Sequence, residues 1–430
     1  MHPLPPDDRR PVPRAALAGR LQAVRAHSLA LAAPLSAEDQ GAQSMPDASP
    51  TKWHLAHTSW FFEAVVLQAW SPGYRPVDAR YARLFNSYYE SLGSRHPRPQ
   101  RGLLTRPALA EVLAYRRRID EALQALVAGA DDDTWAQVAP LLELGLQHEQ
   151  QHQELILTDV LHLLSLNPLA PAYAAAAGTP LAAPGDGGPA EHDDWWTCAG
   201  GDAEIGHDPR DGFGFDNEGP RHTVKLSPFA LSRRLVTNAE VQAFVADGGY
   251  RRPELWLSDG WATVQAQGWR APLYWCDDAR HAFGLHGEQP IDPQAPACHL
   301  SFYEAAALAA WAGARLPTEF EWETAARAWG VSPPASSGLC PAPRRSAGDL
   351  QCFGAVWQWT RSAYDPYPRF RPFAGTAAEY NGKFMVGQLV LRGSSCATPP
   401  GHARVSYRNF FPPAARWQFS GVRLARDADR

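Results

Sequence analysis

The sequence lacks several features that would place it in a broad class of proteins. Its 430 residues include only six cysteines, none at CxxC spacing, at positions 198, 276, 298, 340, 352 and 396. That usage is typical of reduced thiols in the cytoplasm and argues against a disulfide framework. No apolar run reaches the roughly 18 residues that a membrane helix needs. Residues 1–14 are rich in Pro, Arg and Asp without a signal-peptide core, so we expect a disordered arm there and a cytoplasmic protein with no membrane partner.

Excess basic charge and a nucleotide-binding motif are also missing. The net charge is −5 and the pI is near 6.3, so no basic stripe favours a nucleic-acid partner. No G-x-G-x-x-G motif follows a predicted strand, so no flavin or nicotinamide site is expected. What remains is a chain of ordinary globular composition, 45% hydrophobic and 20% charged, which is long enough for two or three domains.

Amphipathic helices dominate the first part of the chain. The pattern predicts them at about 14–33, from Ser49-Pro50 through Val65, at about 107–128 and at about 133–165. At the second of these, Ser49 is interpreted as the N-cap and Pro50 as the first helical residue. Four such helices predict a four-helix bundle over residues 15–166, a fold whose core commonly holds metal sites.

The composition changes after the bundle. Residues 167–194 are mainly Ala, Pro, Gly and Leu without periodicity, which predicts an interdomain linker. From 195 to 430, short β-like runs, Gly and Pro turns and most of the 16 tryptophans predict an α+β domain. Two helices are predicted within it from capping boxes, at Thr237-Asn-Ala-Glu240 and Ser301-Phe-Tyr-Glu304.

Three histidines share the predicted interior of the bundle. His148 and His152 lie four residues apart, so they project from one helix face about one turn apart, and His57 lies within the apolar stripe of the second helix. Burying three imidazoles without partners is costly, which favours a catalytic metal site with open coordination positions. The alternative is a set of hydrogen-bonded core histidines. His54, one step off the face of His57, and Glu154, about 240° around the helix from His148, are left out of the ligand set.

These segments resemble a known family. Ser49–Glu63 and His148–Glu154 are similar to the DinB-type bundle of the ergothioneine-biosynthesis sulfoxide synthases. The second domain resembles the formylglycine-generating-enzyme-like fold, a variant of the C-type lectin fold, in the segments Gly206–His222, Arg315–Trp322, Val356–Thr360, Leu391–Ser395 and Gly421–Arg423. The expected fold is a DinB-like four-helix bundle followed by this α+β domain. Formylglycine generation itself is not expected, because Arg404–Trp417 lacks the cysteine pair that it requires.

The resemblance implies a non-haem iron(II) enzyme that uses O2 to join a thiol sulfur to the imidazole C2 of hercynine, giving a sulfoxide. By that resemblance His57, His148 and His152 are the Fe(2+) ligands. The thiol is cysteine or γ-glutamylcysteine, and Phe411, which replaces an acidic residue of some members, favours cysteine. Forming the C–S bond and oxidising the sulfur remove four electrons together, so O2 requires no external reductant.

The resemblance also assigns roles around the iron. Tyr89, or alternatively Tyr88, would donate a proton or an electron, whereas the simpler interpretation is that both pack as aromatic side chains. Arg98 and Arg101 would hold the carboxylate of the thiol, unless they form a solvated basic loop. For hercynine the implied contacts are Asn409, Phe410, Phe411 and Gln151.

Other functions stay open from the sequence. A zinc-dependent thiol transferase could use the same three histidines, although the long second domain and the Tyr88-Tyr89 pair argue against it. A non-enzymatic lectin-like binding protein would leave the histidines unexplained. A related synthase of the ovothiol or selenoneine type is the nearest alternative.

Overall fold

The computed structural model describes residues 13–175, 195–344, 346, 348–373 and 381–428. Their contacts divide the chain into two compact units. The first contains the described residues up to Pro168 and those of Pro209–Phe213 and Arg371–Lys383. The second contains the described residues of Leu169–Asp208, Gly214–Phe370 and Phe384–Arg430. The predicted domain boundaries stay a prediction, and most of the predicted arm, residues 1–12, lies outside the described residues together with residues 176–194 of the predicted linker.

Four long helices form the first unit, as the sequence predicts. They are α1 (Arg14–Ala32), α2 (Thr51–Phe62), α3 (Leu109–Gly129) and α4 (Asp132–Ser165). Helix α1 packs against α4, while α2 packs against both α3 and α4. Helix α4 begins after Asp131, whose carboxylate accepts the Thr134 N–H. This satisfies one of the otherwise unbonded amides of its first turn.

The start of α2 differs from the prediction. Its N-cap is Pro50, and the predicted N-cap role of Ser49 is wrong because both polar groups of Ser49 are used elsewhere. The Ser49 N–H donates to Asp159 and its Oγ accepts from Arg101, at 2.8 and 2.9 Å. At its other end α2 continues into a π-helical turn, Glu63–Leu67, and a last helical turn, Gln68–Trp70.

Helix α2 is the central helix of the bundle. Every residue from Trp53 to Phe62 is buried, which is typical of a helix enclosed by others rather than one with a solvent face. Helix α4 approaches it closely at Gly145, where a Cβ atom would lie 2.4 Å from the ring of Phe62. A larger residue at 145 would therefore push apart the two helices that carry the histidines.

The second unit is built from short strands. Its strands are β1 (Trp195–Cys198), β2 (Gly201–Ile205), β3 (His222–Leu226), β4 (Phe229–Ser232), β5 (His281–Gly284), β6 (Gly287–Pro290), β7 (Trp357–Ala363), β8 (Leu389–Gly393), β9 (Asn409–Phe411), β10 (Ser420–Gly421) and β11 (Ala425–Asp427). A three-stranded antiparallel sheet has the order β1-β4-β11, and a four-stranded sheet has the order β10-β7-β8-β9 with β10 parallel to β7. Strands β2-β3 and β5-β6 form separate hairpins.

Among the described residues, four α-helices accompany these strands: α5 (Asn238–Ala246), α6 (Ser258–Gln267), α7 (Phe302–Trp311) and α8 (Glu319–Trp329). Helices α5 and α7 are the two that the capping boxes predict. Helix α8 was not predicted, although it too has a capping box, in which the Thr318 hydroxyl accepts from the Glu321 N–H. It packs against strands of both larger sheets. The fold prediction, a helical bundle followed by a sheet-containing domain, is thus confirmed.

Three further expectations can be compared with the described residues. Part of the predicted linker is ordered, since the N–H groups of Tyr173 and Ala174 donate to the carbonyl oxygen of Leu285. All six cysteines are free, which agrees with the prediction of reduced thiols. Among the residues that can be described, no helix has the length and apolar character needed to span a membrane.

Candidate metal centre

Three imidazoles converge inside the bundle. His57 lies on α2, and His148 and His152 lie on the facing side of α4. One nitrogen from each ring lies within 4.8 Å of the others, and His57 Nε2 is 3.2 Å from His148 Nε2. All three side chains are buried. The structure thus brings together the three histidines that the sequence proposes as ligands.

His57 is held on two sides. Its Nδ1 lies 2.6 Å from the carbonyl oxygen of Phe85, which can only accept a hydrogen bond. The proton of the neutral ring is therefore on Nδ1, and Nε2 keeps its lone pair toward His148. The indole of Trp53 stacks on the imidazole, with centroids 4.6 Å apart and planes 12° from parallel. The same indole also contacts Arg101, whose guanidinium carbon is 3.4 Å from the ring centroid.

His152 is held through a second histidine. Its Nδ1 lies 2.7 Å from Nδ1 of His54, and Nε2 of His54 lies 2.9 Å from Oδ2 of Asp159. The same carboxylate oxygen accepts the N–H of Ser49. His54 and Asp159 are both buried, so this chain of hydrogen bonds runs from α2 to α4 away from water.

The three rings are kept neutral by their surroundings. Burial lowers the pKa of His148 to about 3. The pKa values of His57 and His152 are also well below the ordinary value, first because of burial and then because His148 lies alongside each of them. A neutral imidazole offers a lone pair to a metal ion, whereas a protonated one does not.

These residues fit a metal ion. The set consists of three uncharged nitrogen donors without a carboxylate, and imidazole ligation suits iron, zinc, copper and nickel alike. His57 is oriented by a backbone carbonyl and His152 by the His54 and Asp159 pair, as metal-binding histidines usually are. Geometry alone therefore supports a metal site without selecting the metal.

Arg101 is a buried cation next to the histidines. Its Nη atoms donate to Ser49 Oγ at 2.9 Å and Ser87 Oγ at 3.2 Å, while its Nε has no hydrogen-bond partner among the described residues. Burial first and the neighbouring Arg98 second lower its pKa to about 9, against the opposing effect of Asp159. Arg98 itself is exposed and donates to the carbonyl oxygen of Asp47. A buried guanidinium with only hydroxyl partners is suited to bind an anion.

The two tyrosines occupy different environments. Tyr89 is fully buried, whereas Tyr88 is half-buried. The backbone of Tyr89 is fixed by both side-chain groups of Asn86. Its ring contacts Phe61, with centroids 6.2 Å apart, and Phe61 in turn lies 4.5 Å from the ring of His148. Tyr89 is thus one aromatic layer away from the metal centre.

The proposed hercynine contacts are divided between the two units. Gln151 lies on α4 and is half-buried. Asn409, Phe410 and Phe411 form β9 of the second unit. There Phe410 stacks on Tyr364 with centroids 4.0 Å apart, and Asn409 Oδ1 accepts the Phe410 N–H.

The sequence analysis missed three residues that shape the centre. His54 and Asp159 orient His152, and Trp53 stacks on His57. The sequence contains a signal for one of them, because helical periodicity places Asp159 on the same face of α4 as His148 and His152. The role of His54 was not detectable from periodicity, since this residue lies one step off the helix face that carries His57.

Comparison with known proteins agrees with this architecture. The DinB superfamily matches residues 20–156, and the sulfatase-modifying factor enzyme 1-like domain matches residues 187–338 and 341–428. A formylglycine-generating enzyme of Streptomyces coelicolor is 29% identical, and the alignment covers 54% of this chain and 88% of that protein. That alignment covers only about half of the chain, whereas the alignments with two other relatives extend over both units.

Two relatives match nearly end to end. Hercynine oxygenase of Mycolicibacterium smegmatis is 35% identical over 90% of this chain and 92% of its own length. Hercynine oxygenase of Mycolicibacterium thermoresistibile is 34% identical over 90% of this chain and 89% of its own length. The chain therefore belongs to the hercynine oxygenase family.

Proposed function

We propose that this protein is a non-haem iron(II), O2-dependent sulfoxide synthase of ergothioneine biosynthesis. It would couple the sulfur of cysteine, or of γ-glutamylcysteine, to the imidazole C2 of hercynine and oxygenate that sulfur. The observation that carries the proposal is the set of three buried, neutral imidazoles in a chain of this family. The overall reaction consumes one hydrogen from hercynine C2, one from the thiol and one O2, and it releases one water.

The protein would hold Fe(2+) through His57, His148 and His152. When bound, the ion would supply open coordination positions and the redox chemistry by which O2 reacts. The chain itself keeps the three donors unprotonated by burial and fixes two of the rings by hydrogen bonds. The aromatic side chains of Trp53, Trp60 and Phe61 surround the imidazoles, which excludes water from the centre.

Arg101 would bind the carboxylate of the thiol substrate. Its guanidinium is buried beside the metal centre, and its Nε has no partner among the described residues. A carboxylate would supply both the missing hydrogen bond and the missing negative charge. Arg98, being exposed, would contribute mainly long-range attraction.

Tyr89 would supply the proton or electron that the reaction needs on the side of His148. Its full burial and its contact with Phe61 support this choice over the half-buried Tyr88. Gln151, Asn409, Phe410 and Phe411 would bind hercynine, whose quaternary ammonium suits aromatic faces. By the family resemblance, Phe411 stands where some members have an acidic residue, and this supports cysteine as the thiol.

The test is reconstitution with iron(II) without oxygen, followed by O2 with hercynine and either cysteine or γ-glutamylcysteine. Mass spectrometry should detect a hercynyl-cysteine sulfoxide or its γ-glutamyl form, and the faster thiol identifies the donor. An iron-loaded sample that couples neither thiol would contradict the proposal. Activity with zinc and without O2 would indicate a thiol transferase instead, and histidine or a selenium donor would test the ovothiol and selenoneine alternatives.

A further inference from the structure

We propose that Asp159 and His54 act as a hydrogen-bonded relay that fixes the tautomer of His152 and thereby sets the affinity of the centre for its metal ion. Neither residue belongs to the three-histidine set. The inference rests on the proposed function only in requiring that a metal ion binds to this set. It assigns to His54 and Asp159 the role of positioning residues.

The direction of the relay follows from its first member. Oδ2 of Asp159 already accepts the Ser49 N–H at 2.8 Å, so it acts as an acceptor toward Nε2 of His54 at 2.9 Å as well. Nε2 of His54 therefore carries the ring proton. In the proposed relay His54 is in its form with one ring N–H, in which Nδ1 has a lone pair that can accept a hydrogen bond.

That lone pair determines the state of His152. The two Nδ1 atoms are 2.7 Å apart, and one of them must carry the proton between them. Since Nδ1 of His54 accepts, Nδ1 of His152 donates. The remaining nitrogen of His152, Nε2, is then left with its lone pair available to a metal ion.

Without Asp159, nothing fixes which nitrogen of His54 carries the proton, and the tautomer of His152 is no longer determined. His54 could then carry its proton on Nδ1 and donate to His152, which would move the His152 proton to Nε2 and block the ligand atom. Because His54 is buried, bulk water does not readily replace the carboxylate. Outer partners of metal-binding histidines typically contribute about 10- to 100-fold to metal affinity.

The relay also connects the two helices that carry the ligands. His54 lies one turn before His57 on α2, and Asp159 lies two turns after His152 on α4. Ser49, which precedes α2, is bound to the same carboxylate oxygen, so the start of α2 is held by the residue that orients His152. The side-chain oxygen of Ser49, which would act as the cap, accepts from Arg101 instead.

Two substitutions of His54 separate the hydrogen bonds from packing. In His54→Gln the amide N–H can donate to Asp159 and the amide oxygen can accept from His152, so the polarity of the relay is kept. In His54→Phe both bonds are lost. Anaerobic chelator competition with the metal-free protein should give an iron(II) affinity about 10- to 100-fold weaker for His54→Phe, with His54→Gln close to the unchanged protein.

A second measurement needs no metal. In metal-free protein labelled with 15N-histidine, long-range 1H–15N spectra should show His152 protonated on Nδ1. Asp159→Ala should produce a mixture of His152 tautomers, whereas Asp159→Asn, whose amide oxygen can still accept, should retain the Nδ1–H form. His162→Phe is the matched control, since His162 lies on the same helix and bonds to Ser44 outside the cluster.

The results distinguish failure of the relay from failure of the proposed function. If His57→Ala still binds iron, the ligand assignment itself is wrong. If His57→Ala loses iron but His54→Phe and His54→Gln bind it equally well, the relay is wrong while the proposed function stands. Observation of His152 protonated on Nε2 in the unchanged metal-free protein would also overturn the relay, and this test does not depend on the folding of any variant.

Discussion

Two groups of buried polar side chains in this protein are built in opposite ways. In the second unit, each of four buried glutamates is paired with an arginine: Glu319 with Arg408, Glu323 with Arg392, Glu218 with the half-buried Arg404 and Glu304 with Arg416. At the metal centre of the first unit, three neutral imidazoles face one another, and the nearby Arg101 forms no ion pair with any described carboxylate. The charges of these pairs compensate each other, whereas the centre presents three neutral ring nitrogens and a guanidinium without an ion-pair partner among the described residues.

The way in which buried polar groups are satisfied distinguishes a structural polar core from a functional one. Glu319 and Arg408 satisfy each other through two hydrogen bonds, and Tyr367 and Asp365 supply further ones. The charges and hydrogen bonds of this pair are satisfied without a bound ligand. At the centre, Nε2 of His57 faces another ring nitrogen, and the guanidinium of Arg101 donates to two hydroxyl groups and forms no ion pair with a described carboxylate. A bound metal ion and an anionic substrate would satisfy these groups, as the proposed function requires.

The largest expected effect is on metal binding. His57→Ala should reduce iron(II) binding below detection and abolish turnover, because one of three donors is removed. The unfolding free energy of the metal-free protein should decrease only modestly, since no buried charge loses its partner. Metal analysis after anaerobic reconstitution measures this, with His162→Ala as the control on the same fold. Full iron content in His57→Ala would show that the centre is a structural core like the ion pairs.

The next largest effect is on stability in the second unit. Arg408→Ala leaves the Glu319 carboxylate buried without its cation, which should cost about 3–5 kcal/mol of unfolding free energy. Denaturant titration of the metal-free protein measures this value. The exposed pair of Arg252 and Glu254 provides the control, since Arg252→Ala should leave the midpoint unchanged. A similarly small effect of Arg408→Ala would remove the contrast between the two groups.

A smaller effect is expected from Tyr89. Tyr89→Phe keeps the buried ring and removes only its hydroxyl, so sulfoxide formation should slow by about 100-fold, the lower end for loss of a proton donor. O2 should be diverted toward plain oxidation of the thiol. Product partition by mass spectrometry is the informative readout, since altered packing alone would not shift it. If rate and partition are unchanged, Tyr88→Phe tests the other tyrosine.

The smallest effect is expected from Arg101. Arg101→Gln removes a charge-assisted contact to the thiol carboxylate and should raise the KM for the thiol by about 10-fold. The KM for hercynine should stay unchanged, and this comparison is the control within one experiment. Equal increases in both values would indicate that Arg101 acts through Trp53 and His57 rather than on the thiol.

The sequence by itself determined the bundle, its four helices and the three histidines at its centre. The reason is physical: helical periodicity places His148 and His152 on one face, and an enclosed helix such as α2 has to be apolar around the polar groups it carries. Local capping signals also fixed α5 and α7 through Thr237 and Ser301. All of these depend on residues close together in the sequence.

Only the tertiary structure decided what surrounds the histidines. The relay from Asp159 through His54 to His152 joins residues about one hundred positions apart, and the carbonyl of Phe85 comes from a loop that periodicity does not describe. Ser49 illustrates the same limit, because its sequence position suggests a helix cap while Asp159 and Arg101 take its polar groups. Hydrogen bonds between distant residues depend on how the helices pack, and no local pattern in the sequence records that packing.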